Sequence, residues 1–179
     1  MIVFYLTIDG IYFEQYGHMK LQKEVLGTLV IVLFSTPDVG AEKAKREEKN
    51  LFILSGQSNM AGMDESLTFT PAVVKTFGKD GVIVVKNASS GQSIRSWAKT
   101  NHEDPPPTRG RVPKVRGELY DPLIKKVKTA IEGEPLKTVT LVWMQGESDL
   151  NNTAYDAYLK ELLEQLQTDL ALSLIHISE

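Results

Sequence analysis

The stretch Leu51-Phe52-Ile53-Leu54-Ser55-Gly56-Gln57-Ser58-Asn59-Met60-Ala61-Gly62 decides the fold. Its four consecutive apolar residues read as a short strand buried on both faces, as in a parallel sheet covered by helices. The run stops at Ser55-Gly56 and gives way to a serine, with Ala61-Gly62 close behind. Small residues at a strand end let the backbone approach a ligand closely. The carboxyl ends of the strands are also where an open α/β sheet keeps its chemistry.

Working outward, two further apolar runs match the first. Val82 to Val85 is β-branched throughout, and Val139 to Trp143 closes on Met144-Gln145-Gly146-Glu147-Ser148-Asp149. Helical patterns alternate with these strands. Pro71 to Phe77 reads as a short helix with Thr70 as N-cap and Pro71 at its first position. Asn87 to Gly91 is a turn-rich exit from the second strand. Asp121-Pro122 opens a helix whose apolar face is Leu119, Leu123, Ile124, Val127, Ala130 and Ile131, ended by Gly133 and Pro135. Asn151 or Asn152 caps a last helix with core face Tyr155, Leu159, Leu162, Leu163, Leu166 and Leu170. Residues 99–117, with Pro105-Pro106-Pro107 and Pro113, form a loop of a length that is usually functional or mobile. Strands alternating with helices predict a parallel sheet with helices on both faces.

The 179 residues suffice for one domain with a real core. A net charge of −3 implies no broad basic surface, which argues against nucleic acid as a partner. The absence of cysteine excludes disulfides, thiolate zinc sites and a cysteine nucleophile.

The ends read differently from the middle. From Met19 the chain runs Met19-Lys20-Leu21-Gln22-Lys23, then an apolar stretch from Val25 to Phe34, then Val39-Gly40-Ala41. A basic start, an apolar centre and small residues at the end are the parts of a signal peptide over 19–41. Its cleavage would leave Glu42 first and place the protein in the periplasm or outside the cell. The alternative is a buried helix or strand of the fold. The run is too short for a membrane span, which needs roughly 20 apolar residues. On the signal reading, residues 1–18 are an upstream extension and 42–49 a charged lead-in. The break in pattern after Leu170 marks 171–179 as a non-native tail, leaving 50–170 as the domain.

Three strand ends carry the candidate chemistry. Ser58 follows the first, and a helix beginning near Asn59 would aim its first amides at an oxyanion; the plainer role is a helix cap. Gly91, in Ser89-Ser90-Gly91-Gln92-Ser93, follows the second and could donate an amide, or simply make a turn. Gln145, Glu147 and Asp149 follow the third. A carboxamide there could serve the same oxyanion, and Glu147 could orient a base. Both acids could instead shape the loop or cap the next helix. Two alternate acids could hold a hard cation, but no further ligand cluster supports a metal. The Gly-Lys-Ser/Thr ending of a phosphate loop is absent.

The block from Leu51 to Gly62, taken with Trp143-Met144-Gln145-Gly146-Glu147-Ser148-Asp149, resembles the sialate O-acetylesterase-like carbohydrate esterases of the SGNH hydrolase superfamily. The resemblance spans roughly residues 50–170. It implies a three-layer α/β/α, flavodoxin-like fold around a five-stranded parallel sheet. It also implies hydrolysis of acetyl esters on sugars, with no metal or organic cofactor. Carried over by motif position, Ser58 is the nucleophile, the amides of Ser58 and Gly91 with the Gln145 side chain form the oxyanion hole, and Glu147 is a supporting acid. Gln57, Asn59, Asn87 and Arg95 are implied to line the substrate site.

The chain departs from the family in one respect. The family's base is a histidine in an Asp-x-x-His block near the end of the domain, and this sequence contains no such block. His18 precedes the signal stretch, His102 lies in the proline-rich loop, and His176 lies in the tail. The expectation is a C-terminally truncated esterase, lacking its last two strands, with an open apolar sheet edge and little activity. The competing class is a non-catalytic carbohydrate-binding protein that kept the pocket. A GDSL-type lipase fits less well, because Gly-Gln-Ser-Asn stands where Gly-Asp-Ser would be expected.

Overall fold

The computed structural model describes the backbone of residues 4–7, 10–13 and 28–35, and residues 47–103 and 111–172 in full. The elements in chain order are β1 (Phe4–Thr7), β2 (Gly10–Phe13), β3 (Thr28–Ser35), β4 (Lys49–Gly56), α1 (Ser58–Gly62), α2 (Phe69–Phe77), β5 (Val82–Ala88), α3 (Tyr120–Ala130), β6 (Leu136–Gln145) and α4 (Tyr155–Asp169). A single 3-10 turn, Ile94–Ser96, follows β5. β1 and β2 pair with each other antiparallel.

The predicted parallel core is present. β4 lies between β5 and β6 and runs parallel to both, giving the sheet order β3-β6-β4-β5. The fourth strand differs from expectation. β3 pairs antiparallel with the whole outer edge of β6, from Thr28 opposite Gln145 to Ser35 opposite Thr138. The expected open edge of β6 is therefore occupied, by the same apolar run that reads as the centre of a signal peptide. A row of unpaired amides and carbonyls on an apolar strand is a ready template for such pairing.

The β4 side chains alternate between two layers. Leu51 and Ile53 join Val139, Leu141, Leu123, Val127, Leu162 and Leu166 in the larger core, so α3 and α4 cover one face. Trp97 and Trp143 meet edge to face within it, with ring centroids 5.0 Å apart. Leu54 and Val142 form the opposite face with Met60 of α1. Phe52 packs there against Phe69 and Phe77, at either end of α2. Each buried large side chain contributes about 1.5–3 kcal/mol. No residue of α2 is fully buried, so the α1–α2 layer is the weaker one.

Several local expectations are corrected. α2 begins two residues early, at Phe69 with Thr68 as N-cap, and Thr70 and Pro71 fall inside its first turn. Proline is tolerated there because the amides of a first turn lack intrahelical acceptors, and the Phe69–Phe52 contact favours the earlier start. α3 starts at Tyr120 without a side-chain cap; a turn from Tyr120 N to Gly117 O holds that end (2.9 Å). Ala130, expected on its core face, is exposed. Asn87, expected in a turn, lies within β5. On α4, Tyr158 is fully buried and joins the core face. Leu172 reaches the core as well. His18, Pro105-Pro106-Pro107 and His176 lie outside the described residues.

Candidate active site

The site begins where β4 ends. Gly56 has φ +135°, and a Cβ there would lie 2.0 Å from the Met144 carbonyl oxygen. Only glycine permits this approach, and it lets Gln57 N donate to Met144 O (2.8 Å). The chain then turns directly into α1, with Ser58 as its first residue rather than one before it. Ser58 is exposed, and neither its hydroxyl nor its amide has a hydrogen-bond partner among the described residues. α1 is five residues long, so its amides matter as individual donors and not through a macrodipole. Met60, fully buried, roots the turn from below. Lys86 closes it, donating to the carbonyls of Ala61 (3.3 Å) and Met63 and pairing with Glu65 (3.1 Å).

The exit from β5 lies beside this turn. Ser55 Oγ donates to Asn87 O (2.7 Å), and Ser89 N donates to Gly56 O (3.1 Å). Asn87 is half-buried opposite Ser55. Gly91 has φ +68° and is exposed. Its carbonyl accepts from Arg111 N (2.8 Å), and its amide has no partner among the described residues. Ser58 and Gly91 thus each present an uncommitted amide at the carboxyl edge of the sheet, as an oxyanion hole requires.

The exit from β6 is organised differently. Asp149, buried, accepts from five donors. Ser93 Oγ (2.9 Å), Ile94 N (2.8 Å) and Arg95 Nη1 (3.0 Å) come from the loop after β5. Gln145 Nε2 and Asn152 Nδ2 (3.0 Å) come from its own side. One carboxylate therefore ties two strand-end loops together. The Asp149–Arg95 ion pair is nearly sealed, with side chains 0% and 3% exposed.

This network corrects two assignments. Arg95 is not at a substrate surface; it is a buried counter-ion that also donates to Ser93 Oγ (2.9 Å). Gln145 is not a free oxyanion donor. Its Nε2 faces Gln57 Oε1 (3.2 Å), Gln92 O (3.1 Å) and Asp149 Oδ2, three acceptors for two hydrogens. Its Oε1 is enclosed without a partner. Two of those acceptors can only accept, which fixes the orientation of the carboxamide. Gln57, read as substrate-binding, is likewise buried and faces Gln145. In both cases burial wins because a polar group away from water must find its partners within the protein.

Glu147 makes a further direct link between the two motif blocks. Its Oε1 accepts from Asn59 Nδ2 (2.5 Å), one residue from Ser58, and its Oε2 is enclosed without a partner. Asn59 is therefore tied to Glu147 although it is exposed. Tyr155, at the start of α4, donates to Gln145 O (3.0 Å) and accepts from Trp143 Nε1 (3.1 Å). Burial raises its phenol above the usual value, the Trp143 bond opposes this, and the charges of Asp149 and Glu147 raise it further.

His102 is committed elsewhere. Its Nε2 lies 3.0 Å from Glu161 Oε2 and 3.3 Å from Thr100 Oγ1, and its ring stands edge-on against Tyr158 at 4.5 Å. No hydrogen bond joins it to Ser58 or Glu147 among the described residues. No group of three or more metal-ligating side chains occurs among the described residues, and no helix there is long and apolar enough to cross a membrane.

The residues that sequence reasoning undervalued are Asp149, Ser93, Gln92 and Tyr155. The available signal was Asp149 followed three residues later by Asn152, a spacing typical of loop capping. In comparisons with known proteins, a family model described as carbohydrate esterase, sialic acid-specific acetylesterase, matches residues 62–178, more than half of the chain. No curated protein and no solved structure matches.

Proposed function

The chain belongs to the sialic acid-specific acetylesterase family of carbohydrate esterases, and we propose that its chemistry is O-acetyl removal by attack of Ser58 Oγ on the acetyl carbonyl. The Oγ–carbon bond forms while the carbonyl electrons move to oxygen, where the Ser58 and Gly91 amides hold them. The intermediate expels the sugar oxygen, which leaves as an alcohol after taking a proton. Water then attacks the acetyl-serine and releases acetate. The observation that carries this reading is the hydroxyl and amide of Ser58 and the amide of Gly91, all without hydrogen-bond partners among the described residues, on strand exits joined by the Ser89–Gly56 bond.

The proton steps need a base, and no histidine among the described residues is bonded to Ser58. The Asp-x-x-His block is not in the 179 residues, and His102 is held by Glu161. The chain thus supplies the nucleophile and oxyanion half of an esterase, with Glu147 and Asn59 bracing the serine turn. Exogenous imidazole can stand in for a missing histidine. The chain alone should hydrolyse 4-nitrophenyl acetate slowly. Imidazole should add a rate above that of imidazole without protein, and Ser58→Ala should abolish the increment. Identical rates for wild type and Ser58→Ala under both conditions would overturn serine catalysis. Fast hydrolysis without imidazole that depends on Ser58 would overturn the missing base.

The commitment of His102 also favours a second reading, a carbohydrate-binding protein that kept the pocket. It predicts acetylated-sugar binding with no Ser58-dependent turnover even in imidazole. Either way we propose export, on the pattern of residues 19–41. Recovery of protein beginning at Glu42 from periplasm or medium would support it, and retention of Met19 there would refute it. Cleavage would remove β3 from the edge of β6.

A further inference from the structure

Three strands of the sheet, β4, β5 and β6, come from the alternating strands and helices of residues 49–145. The fourth, β3, comes from the apolar run that reads as the centre of a leader. Its pairing is complete. Eight residues of β3 face eight of β6 in unbroken antiparallel register, from Ser35 opposite Thr138 to Thr28 opposite Gln145. The β4–β6 pair, by contrast, shifts register between Lys49 and Asn50. β3 therefore covers the edge of β6 as far as Gln145, whose side chain enters the buried network of the site. No other strand lies on that edge among the described residues.

Composition and connection both favour this strand. The segment reads Thr28-Leu29-Val30-Ile31-Val32-Leu33-Phe34-Ser35, with three consecutive β-branched residues inside it. A leader needs only an apolar centre, whereas β-branched residues specifically suit a pleated strand and fit a helix less well. Ser35 lies opposite Thr138, and Asn50 of β4 pairs with the same Thr138 from the other side. The end of β3 and the start of β4 thus flank one residue of β6, two strand spacings or about 10 Å apart. Residues 36–48 join them, and a link of that length spans such a gap with slack. A short tether keeps β3 at high effective concentration beside an apolar edge that pairs readily.

We propose that residues 28–35 form a switch with two mutually exclusive states: a leader in the chain under export, and the edge strand of β6 in a precursor that folds first. Backbone groups bonded to β6 are not free for an export machinery. Folding therefore hides the leader, and export is open only to chains that have not closed the sheet. Cleavage before Glu42 would cut the 36–48 connection and release the strand from its tether. The inference rests on the leader reading of residues 19–41, and its test separates the two.

The test places proline at two adjacent positions of the full chain, as Ile31→Pro and Val32→Pro. Alternate amides of an edge strand point at its partner and away from it. Proline at one position removes a ladder bond, and at the next it removes none. Amide hydrogen exchange of the purified full chain reads the difference. In one variant, alternate amides of residues 138–145 should lose about tenfold in protection, while the other variant stays close to wild type. In cells, the variant that loses protection should deliver more protein beginning at Glu42 to periplasm or medium than its neighbour does. Both carry one proline in the same apolar centre, so a leader without the strand state would not tell them apart. Unchanged exchange at 138–145 in both variants, or equal loss in both, would overturn the strand state. Unequal exchange with equal export would overturn the switch. No product beginning at Glu42 from wild type or either variant would overturn the leader reading, and the switch with it, while unequal exchange would still identify β3 as a strand.

Discussion

The loop leaving β4 and the loop leaving β6 are joined by the Asn59–Glu147 hydrogen bond, yet they are built on opposite principles. After β4 the backbone is constrained and the Ser58 side chain is left open: Gly56 is forced against Met144, while Ser58 is exposed and has no hydrogen-bond partner among the described residues. After β6 the side chains are constrained: Gln145, Asp149 and Asn152 are buried in a network that reaches Ser93 and Arg95. A serine proposed as nucleophile must be reachable, and the position of Ser58 is set by main-chain geometry and not by side-chain bonds. The scaffold beside it can be locked, because nothing there has to move to meet a substrate. Function and stability are therefore divided between two adjacent loops.

Substitutions can break that division, and the largest effect belongs to Asp149. Asp149→Ala removes the buried carboxylate that pairs with Arg95 and accepts from four further donors, which should cost about 3–5 kcal/mol. Urea unfolding measures this, and a loss below about 1 kcal/mol would show that the network is not a structural lock. Gly56→Ala combines a positive φ with a Cβ 2.0 Å from a carbonyl oxygen and should cost more than about 2 kcal/mol. Thermal melts check it, and a neutral result would mean that β4 and β6 can separate at their ends. Asn59→Ala removes one of the bonds between the loops and leaves Glu147 with no partner on either oxygen among the described residues. About 1 kcal/mol of stability should go, with a larger loss in imidazole-supported hydrolysis as the serine turn loosens.

A pH titration probes a third region, away from both loops. Burial alone would raise the Glu161 carboxyl, but bonds from the Thr100 hydroxyl and the Thr100 and Lys99 amides, with His102, outweigh it and hold the carboxyl below its usual value. A carboxyl lowered in the folded state contributes stability above its unfolded value of 4.5 and loses it as pH falls through the folded value. Denaturation midpoints should therefore drop below pH 4.5, and Glu161→Gln should flatten that limb. An unchanged acid limb in the variant would place the sensitivity elsewhere. The smallest effect on stability is expected at Ser58, the proposed nucleophile. Ser58→Ala should shift unfolding by no more than about 0.5 kcal/mol while abolishing the imidazole-supported rate. A large loss of stability there would undo the contrast between the loops.

Much of this architecture was legible in the residues. Leu51–Leu54, Val82–Val85 and Val139–Trp143 are all strands, each extended by a few residues in the structure. Polar strand ends such as Ser55 and Asn87 carry no hydrophobic signal, so their membership emerges only from pairing. The helix faces on α3 and α4 were readable from spacing, apart from Ala130 and Tyr158. In the site, Ser58, Gly91 and Glu147 could be placed at the sheet edge from the strand ends alone. Gln145 and Arg95 could not be placed correctly, because nothing in a sequence tells whether a polar side chain faces solvent or a buried acid. The run 25–34 reads as the centre of a leader, with a buried helix or strand as the alternative, and nothing in it names β6 as a pairing partner.

The sequence by itself determined the alternation of buried strands and amphipathic helices, the glycine-serine turn and the family. These depend on residues close along the chain, where periodicity and backbone freedom are encoded directly. The tertiary structure alone decided that Asp149 binds Ser93 and Arg95, 56 and 54 residues away. It alone brought Arg111 to Gly91 and laid β3 along β6. Those contacts follow from the need of every buried polar group and sheet edge to find a partner, and folding rather than sequence distance determines which partner is near.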